Sequence, residues 1–463
     1  VSDLPKYTAL TPDIIERIRQ AVGPDAVDLS PEALDEAARD ASTEVHAPVA
    51  IVRVTTVDQI QALLKLANEL NFPVTPRGAG TGLAGGALAV DGGVVLALAG
   101  MNRILSVDEK NLIAVVESGV IVADLQAAAR AKGLSYPPDP ASLDTATIGG
   151  TAATNAGGPA CVKYGVTKHY VLGLEAVLPT GELVGAGTAT RKGVVGYDLA
   201  QLLVGSEGTL GVITKLILKL IPLPEETCSQ VAVFADLETA MGAVSAIMAG
   251  GVTPSAVEFL DSRCLHLVGD LLPFGDLPPA GALLLVETDG AKGAARAEME
   301  RVGAICSEQG ALHLLPAGDE AQRQELWGVR RQVSLRIHDS APIYVPEDVV
   351  LPLASIAEFV GRLPELAECH GLTIYAFGHS GDGNIHINVT AGEGQEASVE
   401  ACVLELLKLV LTMGGTMSGE HGIGVAKKRF LPLELSAPSM RVQRDLKRVF
   451  DPKGILNPGK LFS

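Results

Sequence analysis

The sequence predicts an α+β protein in two parts, and two observations carry that prediction. From Pro48 to Pro222 short apolar runs of strand length alternate with helical runs, the pattern of an α/β or α+β domain. Beyond Pro222 and Pro224, which mark a boundary, the pattern becomes strand then long helix, twice: Gln230–Phe234 with Leu237–Ala249, then Ala282–Glu287 with Gly293–Gln309. This second part, from about Glu225 to Glu434, reads as a smaller α+β domain on an antiparallel sheet.

The bulk composition limits the function classes. A chain of 463 residues holds two or three domains, and 47% hydrophobic against 19% charged residues is globular. No uninterrupted apolar stretch is long enough for a transmembrane helix, and polar, Pro-containing Val1–Leu10 lacks the features of a secretory signal. The net charge of −18 argues against nucleic acid as a partner but leaves room for an anionic substrate at a locally positive site. The six cysteines are scattered without a C-x-x-C, which speaks against an iron–sulfur cluster or a four-cysteine zinc site and makes a reduced cytoplasmic setting the default.

Taken in order, residues 1–46 form a helical entry segment. Thr11-Pro12 starts a helix carrying Ile14, Ile15, Ile18 and Val22 at helical spacing, and Asp28–Ala41 is a short acidic stretch. An apolar run (Pro48–Val54), a helix (Val57–Leu70) and a short strand (Phe72–Thr75) lead into P-R-G-A-G-T-G-L-A-G-G, Pro76–Gly86. A glycine loop leaving a strand lets backbone N–H groups converge on a phosphate, and Arg77 adds a fixed positive charge. It is neither a Walker loop nor a dinucleotide fingerprint, because no Gly-Lys-Ser/Thr and no helix follows. After a strand (Leu112–Val116) and a helix (Val122–Lys132) closed by Gly133, a second stretch, Tyr136–Gly158, is dense in Gly, Thr, Ala and Asn. Small residues there admit a flat ligand, or alternatively a tight packing surface. A third stretch, V-G-S-E-G-T-L-G-V-I-T (Val204–Thr214), enters the strand-like run Leu216–Ile221.

With P-R-G-A-G-T-G-L-A-G-G, A-T-I-G-G-T-A-A-T-N-A-G-G and G-S-E-G-T-L-G-V-I-T together, the chain resembles the flavoprotein family typified by vanillyl-alcohol oxidase. It is most similar to the branch of D-lactate dehydrogenase, the glycolate oxidase catalytic subunit and D-2-hydroxyglutarate dehydrogenase, over about Ala47–Ser463. The resemblance implies an α+β fold with a two-subdomain FAD-binding domain of the PCMH type (47–222), an antiparallel-sheet cap of the FAD-linked oxidase C-terminal type (223–434), and a segment (435–463) returning to the FAD domain. It implies cofactor contacts from Pro76, Arg77, Gly78, Ala79, Gly80, Thr81 and Gly82 at the pyrophosphate. Pro138, Asp139, Ser142, Thr147, Gly149, Gly150, Thr154 and Gly158 would line the flavin, with Gly211, Val212 and Ile213 on the adenine or isoalloxazine side and Asn457 near the ring. Thr81 stands where covalently flavinylated members often carry His, so non-covalent FAD is expected.

In the cap, Y-A-F-G-H-S-G-D-G-N-I-H-I-N-V (Tyr375–Val389) reads as a hairpin. A two-residue Asp382-Gly383 turn would set His379 directly opposite His386. Two imidazoles so placed suit one metal ion, or else a hydrogen-bonded pair near a turn. G-G-T-M-S-G-E-H-G-I-G (Gly414–Gly424) follows a helix over Val399–Met413, and Glu420 there would complete a His379/His386/Glu420 donor set. That set fits catalytic zinc; iron and manganese suit the same donors. By resemblance this is a divalent metal site, His421 is the general base, and Arg330 in L-W-G-V-R-R-Q-V-S-L-R binds the substrate carboxylate, with Ser334 one turn along the same helix face. Without the resemblance, Arg330, Arg331 and Arg336 read equally as a solvated helix face. Pro346 aligns where the D-2-hydroxyglutarate branch has a lysine for a distal carboxylate, which favours a monocarboxylate.

The expectation is an FAD-dependent, metal-assisted D-2-hydroxy-acid dehydrogenase, D-lactate to pyruvate first, with hydride transfer to flavin N5. Glycolate oxidase catalytic subunit and D-2-hydroxyglutarate dehydrogenase are the enzyme alternatives, and a flavin-carrying accessory subunit the non-enzyme one. Electrons would leave to an external acceptor (a quinone, an electron-transfer flavoprotein, a cytochrome or an iron–sulfur subunit). The expected location is cytoplasmic, with peripheral association at the inner membrane face compatible with the sequence.

Overall fold

The computed structural model describes residues 7–273 and 280–462, so the first six residues of the entry segment and Ser463 lie outside it. Two units emerge: one from the described parts of Val1–Ala156, Val166–Leu223 and Glu420–Ser463, the other from Gly157–Gly165 and the described parts of Pro224–Gly419.

In the first unit, local signals set the helix ends. The Thr11 hydroxyl accepts from Ile14 N to start Pro12–Val22. Thr56 and Gln59 cap each other reciprocally at the start of Val57–Leu70, and Asn71 closes that helix at φ 59°. This helix is the crossover that parallel strands require: β1 (Val27–Asp28), β2 (Ala50–Arg53), β3 (Val74–Arg77) and β4 (Val94–Ala97) form a sheet in the order β1-β2-β4-β3, with β4 parallel to both β2 and β3. The two helices bury Ile15, Ile18, Ile60, Leu63 and Leu64 against Val52, Val74 and Leu96 of this sheet. Residues near the C-terminus join it: Val74 N donates to Ile455 O and Asn457 N to Val74 O, both at 2.8 Å.

The second sheet of this unit is antiparallel, ordered β5-β6-β10-β8-β9, from β5 (Ile104–Asp108), β6 (Ile113–Glu117), β8 (Val171–Val177), β9 (Leu183–Gly187) and β10 (Val212–Lys219). A short pair, β7 (Leu134–Ser135) with β11 (Ile221–Pro222), closes its exit.

The second unit is one seven-stranded antiparallel sheet ordered β15-β12-β14-β13-β17-β18-β16. Its strands are β12 (Glu226–Phe234), β13 (Ala256–Asp261), β14 (Ala282–Gly290), β15 (His313–Pro316), β16 (Ile343–Val350), β17 (Thr373–His379) and β18 (Asn384–Ala391). Ala282–Val286 is buried at every position, as a strand covered on both faces must be. The helix Glu320–His338 supplies Leu326, Val329, Val333 and Ile337 to a core with Leu283, Leu285, Leu260 and Phe377. Pro346 is tolerated because β16 is an edge strand.

Candidate active site

Each unit gathers part of the chemistry. In the first, the three glycine-rich stretches converge. Pro76 and Arg77 end β3, and Gly78–Gly82 leave it as a loop. A Cβ on Gly78 would fall 2.3 Å from Thr147 Oγ1, so only glycine allows the first stretch to lie on the second. Thr147 caps the short helix Ile148–Thr154 by accepting from Gly150 N, which puts Gly149 and Gly150 in its first turn and Thr154 at its end. Gly149 N donates to Ser118 O, and Ser118 N to Thr214 O, which ties the second stretch to β10, where Val212 and Ile213 begin and Gly211 precedes. Pro138 is held through its carbonyl by Gln126 Nε2. Ser142 O accepts from Ala146 N, and Asp139 lies in the same segment. Gly158 belongs to the excursion Gly157–Gly165 in the second unit.

These residues fit a bound anionic cofactor. Arg77 Nη1 is buried without a hydrogen-bond partner, as are the Ser118 and Ser206 hydroxyls. Such orphaned donors are costly unless something satisfies them. Burial depresses the Arg77 pKa, and the Asp40 and Glu36 charges oppose that shift. Asn457, in the left-handed region at φ 44°, donates its side-chain amide to Gly86 O (3.0 Å) and Glu207 O (2.7 Å) and accepts from Lys460 Nζ. It therefore braces the glycine loop against the third stretch with both polar atoms of its side chain engaged.

In the second unit, the β17–β18 hairpin differs from the expected two-residue turn. Four residues, Ser380–Gly383, make the connection, and the register pairs His379 with Asn384 and Phe377 with His386. The reason lies in packing. Ser380 Oγ donates to Val257 O (3.1 Å), which draws the turn toward β13, and Gly383 fits at φ 87° where a Cβ would meet Leu351 O at 2.2 Å. His379 and His386 still meet, with Nε2 atoms 3.3 Å apart and rings edge to face at 5.0 Å.

Glu258, in β13 opposite His379, organises what surrounds them. Its Oε1 lies 2.5 Å from His379 Nδ1, and its Oε2 accepts from Arg330 Nε at 2.7 Å. Its side chain is 1% exposed. Burial alone would raise its pKa; its contacts with His379 and Arg330 overcome this and hold it well below the ordinary carboxylate range. The Arg330 guanidinium stacks on Phe377, 4.6 Å from the ring centroid. Among the described residues its Nη groups make no hydrogen bond. Ser334 sits one turn further along the helix, half-buried.

Glu420 and His421 belong to the first unit. The chain approaching them is fixed in the second: Asp348, paired with His386 across β16–β18, accepts from Ser418 Oγ and Gly419 N, both at 2.9 Å. The chain beyond them is fixed in the first: buried Glu207, at φ 51°, accepts from Ile423 N (2.8 Å) and Gly424 N (2.7 Å).

Glu258, Asp348 and Glu207 escaped the sequence reading. Each carried a signal. Glu258 is a lone acid in the apolar run Ala256–Leu260, and a buried Glu needs a partner. Asp348 stands just before Val349-Val350 in a strand, and Glu207 lies between Ser206 and Gly208 in a glycine-rich turn, where its side chain can bond backbone.

Comparison with known proteins agrees with this architecture. The FAD binding domain family matches residues 48–187, and the family described as FAD linked oxidases, C-terminal domain, matches residues 223–461. The glycolate oxidase subunit GlcD of Bacillus subtilis (strain 168) is 38% identical over 458 residues, 98% of this chain and 97% of that protein. The D-lactate dehydrogenase of Anaerostipes hadrus is 36% identical over 98% of both chains. The D-lactate dehydrogenase of Archaeoglobus fulgidus is 38% identical over 89% of this chain and 90% of its own. In fold, the chain is similar to p-cresol methylhydroxylase (TM-score 0.78, 19% identity, covering 97% and 96% of the two chains). The chain belongs to the FAD-linked oxidase family, with a PCMH-type FAD-binding fold. It is an FAD-linked oxidoreductase of the D-lactate dehydrogenase and glycolate oxidase type.

Proposed function

We propose that this chain is a metal-assisted, FAD-dependent dehydrogenase of D-2-hydroxy acids, with D-lactate to pyruvate as its reaction. The observation that carries the reading is that Glu258 anchors both Arg330, whose Nη edge makes no hydrogen bond among the described residues, and His379, which meets His386. A planar guanidinium fork suits a carboxylate, and paired imidazole nitrogens suit a divalent cation.

Arg330 would bind the substrate carboxylate in two parallel hydrogen bonds, with Ser334 adding a hydroxyl contact one helical turn away. His379 and His386, with Glu420 as the carboxylate ligand, would hold the cation, zinc by donor type. Bound there, it would supply Lewis-acid polarisation of the substrate hydroxyl. His421 would take the hydroxyl proton. FAD, held without a covalent bond by the glycine-rich stretches of the first unit, would supply the hydride acceptor. By fixing the carboxylate, Arg330 would restrict the directions in which the substrate Cα–H can point. Pro346 offers no charge for a second carboxylate, which supports a monocarboxylate substrate. An external partner would reoxidise the flavin. Among the described residues no helix is long and apolar enough to cross a membrane.

The test is anaerobic reduction of the bound flavin by D-lactate, L-lactate, glycolate and D-2-hydroxyglutarate in parallel. The reading expects D-lactate fastest and His421→Asn slower by about 10²–10⁴-fold. Preference for glycolate or the diacid would reassign the substrate, and a flavin that no hydroxy acid reduces would refute the enzyme.

A further inference from the structure

We infer that Glu258 is a positioning residue that sets two groups at once: it fixes which nitrogen of His379 is turned toward His386, and which edge of Arg330 faces outward. The inference rests on the proposed roles of His379 in metal binding and Arg330 in carboxylate binding.

Donors and acceptors around Glu258 can pair in only one way. An ionised carboxylate only accepts, and an Arg Nε–H only donates. Glu258 Oε2 takes the Arg330 Nε–H, and Oε1 lies 2.5 Å from His379 Nδ1. That contact is favourable only if Nδ1 carries the proton. His379 Nε2 is then the ring nitrogen that can offer a lone pair to a cation, and it is the one 3.3 Å from His386 Nε2. A carboxylate behind a ligating imidazole fixes tautomer and ring orientation in this way. On the other side, Nε is tied to Glu258 and one face of the guanidinium lies on Phe377, so only the Nη1/Nη2 edge is left to meet a ligand. The carboxylate lies beside Leu260, Leu283 and Leu285, where an apolar side chain would cost less than a buried charge. What the carboxylate adds is orientation.

Glu258→Gln separates the two effects. A glutamine has one accepting oxygen and one donating NH₂. Arg330 cannot accept, so the oxygen must face it, and the NH₂ is turned to His379 Nδ1. This forces the proton onto His379 Nε2 and removes the lone pair. Glu258→Asp keeps the acceptor chemistry.

The experiment uses the full FAD-loaded chain, stripped of metal by chelation, with folding checked by flavin content. Zn²⁺ is titrated calorimetrically, and pyruvate, a non-reducing carboxylate, is titrated through the fluorescence of Trp327, the sole tryptophan, which lies one turn before Arg330. E258Q is expected to bind Zn²⁺ about 10–100-fold more weakly while its metal-free affinity for pyruvate stays within about threefold, and E258D to recover most of the Zn²⁺ affinity. Zn²⁺ binding by E258Q equal to wild type, or by E258D as weak as by E258Q, would overturn the inference. ¹⁵N-histidine spectra of the metal-free wild type need no variant at position 258: a His379 signal with a protonated Nδ1 and bare Nε2 is expected, and the reverse tautomer overturns it. Unchanged Zn²⁺ binding in His386→Ala would instead refute the underlying metal site.

Discussion

His379 and His386 meet on the diagonal of their hairpin, not squarely across it. His379 is paired with Asn384, two residues short of His386, yet the Nε2 atoms are 3.3 Å apart. The expected and observed registers differ by two, and strand side chains repeat with period two, so both histidines keep the same face. A slip of one residue would have sent them to opposite faces and dissolved the pair.

The four-residue turn is therefore part of the site. Gly383→Ala would place a Cβ 2.2 Å from Leu351 O at φ 87°. The expected result is destabilisation by about 1–3 kcal/mol, read as a lower unfolding midpoint, together with weaker Zn²⁺ binding as the histidines separate.

Arg330→Ala has two separable consequences. Losing a charged bidentate contact, with hydrogen bonds to charged groups worth about 1.5–3 kcal/mol each, should raise KM for D-lactate by roughly tenfold or more. Leaving Glu258 buried without its cation should cost about 3–5 kcal/mol of stability in denaturant titration. Arg330→Ala/Glu258→Leu removes the stranded charge, so it should regain stability without regaining affinity.

Asn457 links the glycine loop to the third stretch through Gly86 O and Glu207 O. Asn457→Ala loses both hydrogen bonds and strands buried carbonyls, for about 1–3 kcal/mol. The variant should release FAD on gel filtration under conditions where the wild type retains it.

Lys460 gives a pH signature. Burial lowers its pKa to about 8, against the nearby Asp91 and Glu207 charges. The unfolded lysine titrates near 10.4. Between these values the unfolded chain binds more protons, so stability contributed by this group rises with pH through that window, by at most about 1.4 kcal/mol per pH unit. The destabilisation is complete below the folded value. Lys460→Met should flatten the pH dependence of unfolding between about pH 8 and 10.

Much of the fold was legible because local chemistry marked it. Thr11-Pro12 stands at the start of Pro12–Val22, and the helical run Val57–Leu70 is a helix with those bounds; the helix expected over Val122–Lys132 stops at Arg130, with Gly133 in the turn beyond its cap Ala131. Pro222 and Pro224 flank the point where the chain passes from one unit to the other. The turn at Asp382-Gly383 was misread because a local turn preference lost to a distant contact, Ser380 with Val257. Glu258 and Asp348 were missed for a related reason. Their partners, His379 and Arg330 for one and Ser418 and Gly419 for the other, are 70 or more residues away, and only the tertiary fold brings them together. Asn457 was singled out for the site only through the resemblance, and its partners at Gly86 and Glu207 were not legible at all.

The most direct test of the account is the rate at which D-lactate bleaches the bound flavin without oxygen, before chelation, after it, and after Zn²⁺ is returned. The account predicts fast bleaching, then its near loss with FAD still bound, then recovery. Bleaching at an unchanged rate after complete removal of metal would contradict it.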